Sequence, residues 1–201
     1  MEQWEHPTVW AIDAKDSCIV LGSSEREKAF LDFTYLDREG LNLVTRRSGG
    51  GAVLVEPGHL LWVDVFIPNH SLFWVKDVKL SALWMGRIWY ETLQEFPVEC
   101  SMYEGKFRRS PLSDLVCFAG QSPGEIFIQG QKVLGISQRR SKHGTRYQCA
   151  LVLKWSPRHL INLFHSAPIE DLAKRIQGCG TAINYRQEDV LEAFLSRLPN
   201  I

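Results

Sequence analysis

Three consecutive glycines, Gly49-Gly50-Gly51, interrupt a stretch that otherwise reads as strand. A glycine triplet costs backbone entropy inside a helix or strand, so it belongs in a connection. Leu43 to Thr45 precedes it as a short strand, and Ala52 to Val55 follows as another. Arg46, Arg47 and Ser48 flank it on one side. Such a loop lets main chain approach a ligand closely. Successive N–H groups without Cβ atoms can converge on an anion or a carbonyl, and arginines add planar donors. The same residues also read as an ordinary tight turn with both arginines in solvent. The segment is not a P-loop, because no G-x-x-x-x-G-K-[ST] is present. It is not the dinucleotide fingerprint either, because Leu54 stands where the third glycine should be.

The surrounding pattern predicts short strands at Ser17–Leu21, Leu60–Ile67, Leu115–Phe118, Glu125–Ile128, Lys132–Ser137 and Tyr147–Leu153. Helices are predicted at Glu25–Glu39, closed by Gly40, and at Val75–Phe96, stopped by Pro97. In the second of these, Val78, Ala82, Met85, Trp89 and Leu93 recur at helical spacing and define one apolar face. Ser156 as N-cap and Pro157 at the first position open a further helix, and Glu188–Leu198 closes the chain as another. Residues 103–113 read as a basic loop with Lys106, Arg108 and Arg109. Hairpin-linked strands in the middle with helices around them imply an α/β (α+β) fold on a mixed sheet.

The chain has 201 residues, which suits one domain spanning 1–201, with C-terminal helices from 156 onward. Twenty-three Lys+Arg balance 23 Asp+Glu, which argues against a nucleic-acid partner that needs a basic surface. The apolar run Leu60–Ile67 is broken by Asp64 and is too short to span a bilayer, so no membrane partner is expected. Residues 1–7 lack the basic and apolar regions of a signal peptide, so a cytoplasmic location is expected. Cys18, Cys100, Cys117, Cys149 and Cys179 show no C-x-x-C spacing and read as free thiols; no metal site is expected.

A second cluster runs from Cys117-Phe118 through Gly130-Gln131-Lys132-Val133-Leu134-Gly135-Ile136-Ser137-Gln138-Arg139-Arg140. Lys132 opens a strand just after a turn, from where an ammonium can polarise an acyl carbonyl or neutralise a phosphate. Gly135 allows close approach to that strand. Cys117 lies fifteen residues earlier, and neighbouring strands could bring the two face to face. A cation nearby would favour the nucleophilic thiolate, while a cysteine between Val116 and Phe118 equally suits a small buried apolar residue. Arg139, Arg140, Lys142 and Arg146 read as a solvated hairpin edge or a docking patch for an acidic partner.

Together, Arg46-Arg47-Ser48-Gly49-Gly50-Gly51-Ala52-Val53 and Gly130–Arg140 resemble motifs of the lipoate–protein ligase, octanoyltransferase and biotin–protein ligase superfamily, and most of all its lipoate–protein ligase branch. The resemblance covers residues 17–165 in consistent order. It implies one α/β catalytic domain that attaches a lipoyl or octanoyl group to a lysine of an acceptor lipoyl domain. It assigns Arg46, Arg47, Ser48, Gly49, Gly50, Gly51 and Ala52 to the substrate loop, Lys132 to the essential cation, and Gly135 and Ser137 to the tunnel. Cys117-Phe118 matches the arrangement in cysteine-dependent octanoyltransferases. There, an octanoyl thioester of acyl carrier protein is the donor, the enzyme cysteine is acylated, and no tightly bound cofactor is needed.

The ligase route uses ATP and Mg²⁺ to make lipoyl-adenylate, leaving Cys117 a bystander. A third reading is a non-catalytic relative that binds lipoate or an acyl carrier. The roughly 45 residues after Trp155 are few for the accessory domain of a self-sufficient ligase. The family often has a His where this chain has Val55, an Asn where it has His59, and a helix where residues 1–16 show no helical period. These departures bear on substrate identity more than on fold.

Overall fold

The structure is a computed structural model and describes residues 5–23 and 27–199. In chain order the strands are β1 (Thr8–Ile12), β2 (Cys18–Leu21), β3 (Asn42–Thr45), β4 (Val53–Val55), β5 (Leu60–Pro68), β6 (Ser101–Met102), β7 (Ile126–Ile128), β8 (Gln131–Ser141) and β9 (Gly144–Val152). The helices are α1 (Phe33–Glu39), α2 (Val78–Leu93), α3 (Pro111–Leu115), α4 (Arg158–Leu163), α5 (Leu172–Gln177) and α6 (Gln187–Arg197), with 3₁₀ turns at Glu27–Phe30 and Cys117–Ala119.

The α/β class holds, and the strands divide between two sheets. A six-stranded sheet has the order β1-β5-β9-β8-β7-β6, with every neighbouring pair antiparallel. A three-stranded sheet has the order β3-β2-β4, with β2 and β3 parallel and β2 and β4 antiparallel, so the mixed pairing lies there. Strand β5 shows how the core is split. Its alternate residues Leu61, Val63, Val65 and Ile67 join α2 and α6 in one apolar cluster. Its other face sends Leu60 and Trp62 to a second cluster, under the small sheet and around α1, α3 and α4. Trp89 of α2 stacks on Phe194 of α6 with ring centroids 4.0 Å apart, which pins the two helices together.

Helix α2 follows its predicted face: Ala82, Met85, Trp89 and Leu93 are buried, and only Val78 at its start is 56 % exposed. Asp77 caps it by accepting from Leu80 N–H at 2.8 Å. Other boundaries differ from expectation. The predicted helix over 25–39 breaks into a 3₁₀ turn and α1, because Asp32 intervenes as the N-cap of α1; residues 25–26 of that prediction lie outside the described residues. Gly40 does close α1 in a left-handed conformation. Residues 115–118 are not a strand. A capping box between Ser110 and Ser113, with Pro111 next to the cap, starts α3 inside the expected basic loop, and Cys117 begins a 3₁₀ turn. Helix α4 starts one residue later than expected, with Pro157 in the cap position and no hydrogen bond from Ser156. Strands β1 and β6 and helix α5 were not predicted.

Candidate active site

The glycine loop is built against the segment that carries Cys117. Ala52 N–H donates to Leu115 C=O at 2.7 Å, and Cys117 N–H donates to Ala52 C=O at 3.0 Å. A Cβ on Gly51 would stand 2.7 Å from main-chain atoms of Leu115 and Val116, so this approach needs a glycine. Arg46 braces the loop from within. Its guanidinium donates to Val20 C=O at 3.2 Å and to Gly49 and Gly51 C=O at 2.9 Å each, and lies 3.8 Å from Cys117 Sγ. Arg46 is 8 % exposed, whereas Arg47 is exposed. The expectation that both arginines present donors to a ligand is therefore corrected for Arg46, whose terminal nitrogens are turned onto carbonyls of β2 and the loop. Ser48 is buried and donates to Gln148 Oε1 at 2.7 Å while accepting from Ser137 Oγ at 3.1 Å. That chain ties the loop to β8 and β9. Gln148 has no sequence signal beyond its place in a strand.

Lys132, at the start of β8, is buried with its side chain 1 % exposed. Its Nζ donates to Cys117 C=O at 2.9 Å and to the Glu125 carboxylate at 2.8 Å. The rings of Phe118 and Phe127 lie 5.7 and 6.0 Å from the ammonium. Cys117 and Lys132 thus meet, but not from neighbouring strands as expected: Cys117 lies in a 3₁₀ turn, and the lysine bonds its backbone carbonyl. Glu125 is the residue that sequence reasoning passed over. The signal was an acid at the head of an apolar run, just across a two-residue turn from the lysine. Burial pushes its carboxyl above the ordinary carboxylate range, and the Lys132 ammonium opposes that shift. Gly135 lies beside this pair: a Cβ there would sit 3.9 Å from Glu125, Lys132 and Phe118.

A cleft of about 840 Å³ opens over these groups, and its walls include Gly49, Gly50, Gly51, Cys117, Lys132 and Ser137. Ala82 and Val78 of α2 and Phe107 of the 103–110 loop supply apolar wall. Arg47, Ser48, Ala52 and Gly135 do not face it. A half-buried thiol, a lysine ammonium and glycine-rich main chain on one wall can bind an acyl carbonyl and attack it. The other four cysteines do not line this cleft, and burial raises all four thiols, Cys179 to about 12. Among the described residues, no group of three His, Cys, Asp or Glu could hold a metal ion. No helix among them is long and apolar enough to cross a membrane. The hairpin cations do not form one patch. Arg139 and Arg146 are paired across β8 and β9 and share a face, while Arg140 points the other way and donates to Val75 C=O at 2.6 Å.

The Lipoyl protein ligase A/B catalytic domain model matches residues 2–184. The chain belongs to this family. A family relative, the octanoyl-[GcvH]:protein N-octanoyltransferase of Geobacillus kaustophilus, is 28 % identical over 145 residues, covering 70 % of this chain and 46 % of its own length. The chain therefore spans about half the length of the curated relative it matches. The same fold occurs in the bipartite lipoate protein ligase of Thermoplasma acidophilum, with a TM-score of 0.76 at 15 % identity over 98 % of this chain and 71 % of that one. It occurs also in a lipoate–protein ligase A solved with bound ATP, with a TM-score of 0.74 at 14 % identity over 98 % of this chain and 73 % of that one.

Proposed function

We propose that this chain transfers an octanoyl or lipoyl group to a lysine of an acceptor lipoyl domain, through a thioester on Cys117. The observation that carries the reading is the shared cleft wall: Cys117, Lys132 and Gly49–Gly51 line one cavity, with Lys132 Nζ bonded to Cys117 C=O at 2.9 Å. The name of the Geobacillus relative, which moves an octanoyl group from GcvH to a protein, supports the reaction class.

In this reading the donor is an acylated carrier protein, either acyl carrier protein with a thioester or octanoylated GcvH. The Cys117 thiolate attacks the acyl carbonyl. The bond from that carbonyl to the carrier breaks, and the carrier leaves with a proton as thiol or amine. The acceptor lysine amine then attacks the Cys117 thioester, loses its proton, and releases the thiolate. Lys132 is held by the Glu125 carboxylate and Cys117 C=O, and its positive charge beside the cysteine would stabilise the oxyanion in both steps. The chain itself needs no tightly bound cofactor for this route. ATP and Mg²⁺ belong to the ligase alternative, in which Cys117 is a bystander.

Mass measurement of a lipoyl domain tests the proposal, after incubation with the protein and each octanoylated carrier but no ATP. An octanoyl shift on the acceptor lysine, lost in Cys117→Ala, is expected. Modification that requires lipoate with Mg-ATP and survives Cys117→Ala would replace it with the ligase reading.

A further inference from the structure

The Lys132 ammonium bonds the Cys117 carbonyl and the Glu125 carboxylate, and the carboxylate has no role in the reaction as written. Lys132 and Glu125 are 1 % and 3 % exposed, so neither charge reaches water. The Glu125 carboxylate is fixed from both sides. Ser122 N–H donates to one oxygen at 2.7 Å, and the Lys132 ammonium binds at 2.8 Å. The main chain around it is clamped as well. Tyr103 N–H donates to Glu125 C=O at 2.8 Å, and Gly124 N–H donates to Tyr103 C=O at 2.8 Å. Gly124, at φ +86°, packs directly on Gly86 of α2, where a Cβ on either glycine would collide with backbone. The backbone that carries the carboxylate is thus packed against α2, and Glu125 lines the cleft.

We infer that Glu125 is the positioning residue of this site: it keeps the Lys132 ammonium charged and fixes it beside the Cys117 backbone at the cleft wall. The inference rests on the acyl-transfer reading for its consequence in catalysis, but the pairing can be measured without it. Two links give it reach. Lys132 also bonds Cys117 C=O, so a displaced ammonium releases the backbone that carries the thiol. The rest of the lysine's surroundings cannot replace the carboxylate. From the 3₁₀ turn it meets Cys117 and the Phe118 ring; from β7, the Phe127 ring; and from the 178–181 segment, Cys179, whose thiol burial pushes up to about 12. Arg46, the nearest other fixed charge at the thiol, is itself a cation. Glu125 is the one carboxylate these contacts give the buried ammonium.

Without it, an unpaired buried ammonium favours its neutral form, so its pKa falls. The test is a pH titration of the Lys132 ¹⁵Nζ resonance in the full chain, assigned by its loss in Lys132→Met, alongside kcat and KM for octanoyl transfer. Glu125→Gln should move the titration and the alkaline limb of the kcat profile to lower pH by about one unit or more. It should lower kcat by about 10²-fold, the scale of one misplaced donor, with little change in KM. Glu125→Asp, a charged but shorter side chain, should keep the alkaline limb near that of the wild type while still lowering kcat. It also preserves the test where Glu125→Gln folds poorly. An unshifted ¹⁵Nζ titration in Glu125→Gln, or a loss confined to stability with kcat and its pH profile unchanged, would overturn the inference. A shifted titration in a protein that transfers no acyl group would leave the pairing intact and sink the proposed reaction instead.

Discussion

Among the described residues, two carboxylates lie buried, Asp64 on β5 and Glu125 just before β7, at 2 % and 3 % exposure. Each is paired with one cation, and the cations differ. Arg146 keeps 43 % of its side chain in solvent and lies over the Trp10 ring, while Trp62 Nε1–H donates to the other Asp64 oxygen at 2.9 Å. That pair sits on a sheet surface, and water screens half of it. Lys132 has no such relief. Its charge is held by Glu125 and one carbonyl inside the cleft wall. Burying a whole ion pair is seldom the cheapest way to stabilise a fold. The first pair therefore reads as a strand-edge brace, and the second as a charge kept dry for chemistry.

The largest expected effect breaks the second pair. Lys132→Met leaves Glu125 buried without its partner. Octanoyl transfer should fall by about 10³-fold or more, and a urea titration should lose about 3–5 kcal/mol of stability. Gly51→Ala attacks the loop that faces the same site. Its Cβ would press on backbone of Leu115 and Val116, at a cost of about 1–3 kcal/mol, and transfer should drop as the loop and Cys117 move apart. Asp64→Asn sharpens the contrast from the other side. It keeps the Trp62 hydrogen bond and loses the charge, so it should cost about 1 kcal/mol in thermal unfolding and leave transfer at the wild-type rate. A fall in transfer there as deep as in Lys132→Met would erase the distinction. The smallest perturbation is chemical. At pH 8, brief iodoacetamide treatment should label Cys117 ahead of the other four cysteines, whose thiols burial holds protonated, as peptide mapping would show.

The division between legible and hidden follows the reach of local rules. Strand β5 was readable as an apolar run bounded by the 56–59 turn, and helix α2 because its face repeats at a period of 3.6. The glycine loop was readable because three glycines have no other use between strands. The segment before Cys117 was not, since a four-residue apolar run fits a strand or a helix end equally well, although Ser110, Pro111 and Ser113 carried a start signal. Local sequence could not tell Arg46 from Arg47. Only the carbonyls of Val20, Gly49 and Gly51 turn one of them inward. Glu125 was missed for a related reason. An acid beside an apolar run reads as a solvated strand end until the hairpin folds Lys132 over it.

The central claim is that Cys117 carries the acyl group, and intact-protein mass tests it most directly. Wild type and Cys117→Ala would be mixed with octanoyl–acyl carrier protein, and separately with octanoylated GcvH, without ATP. The account predicts a hydroxylamine-sensitive octanoyl adduct on the wild type alone. An adduct that persists in Cys117→Ala would contradict it, as would no adduct with either carrier alongside lipoyl-domain modification that appears only with lipoate and Mg-ATP.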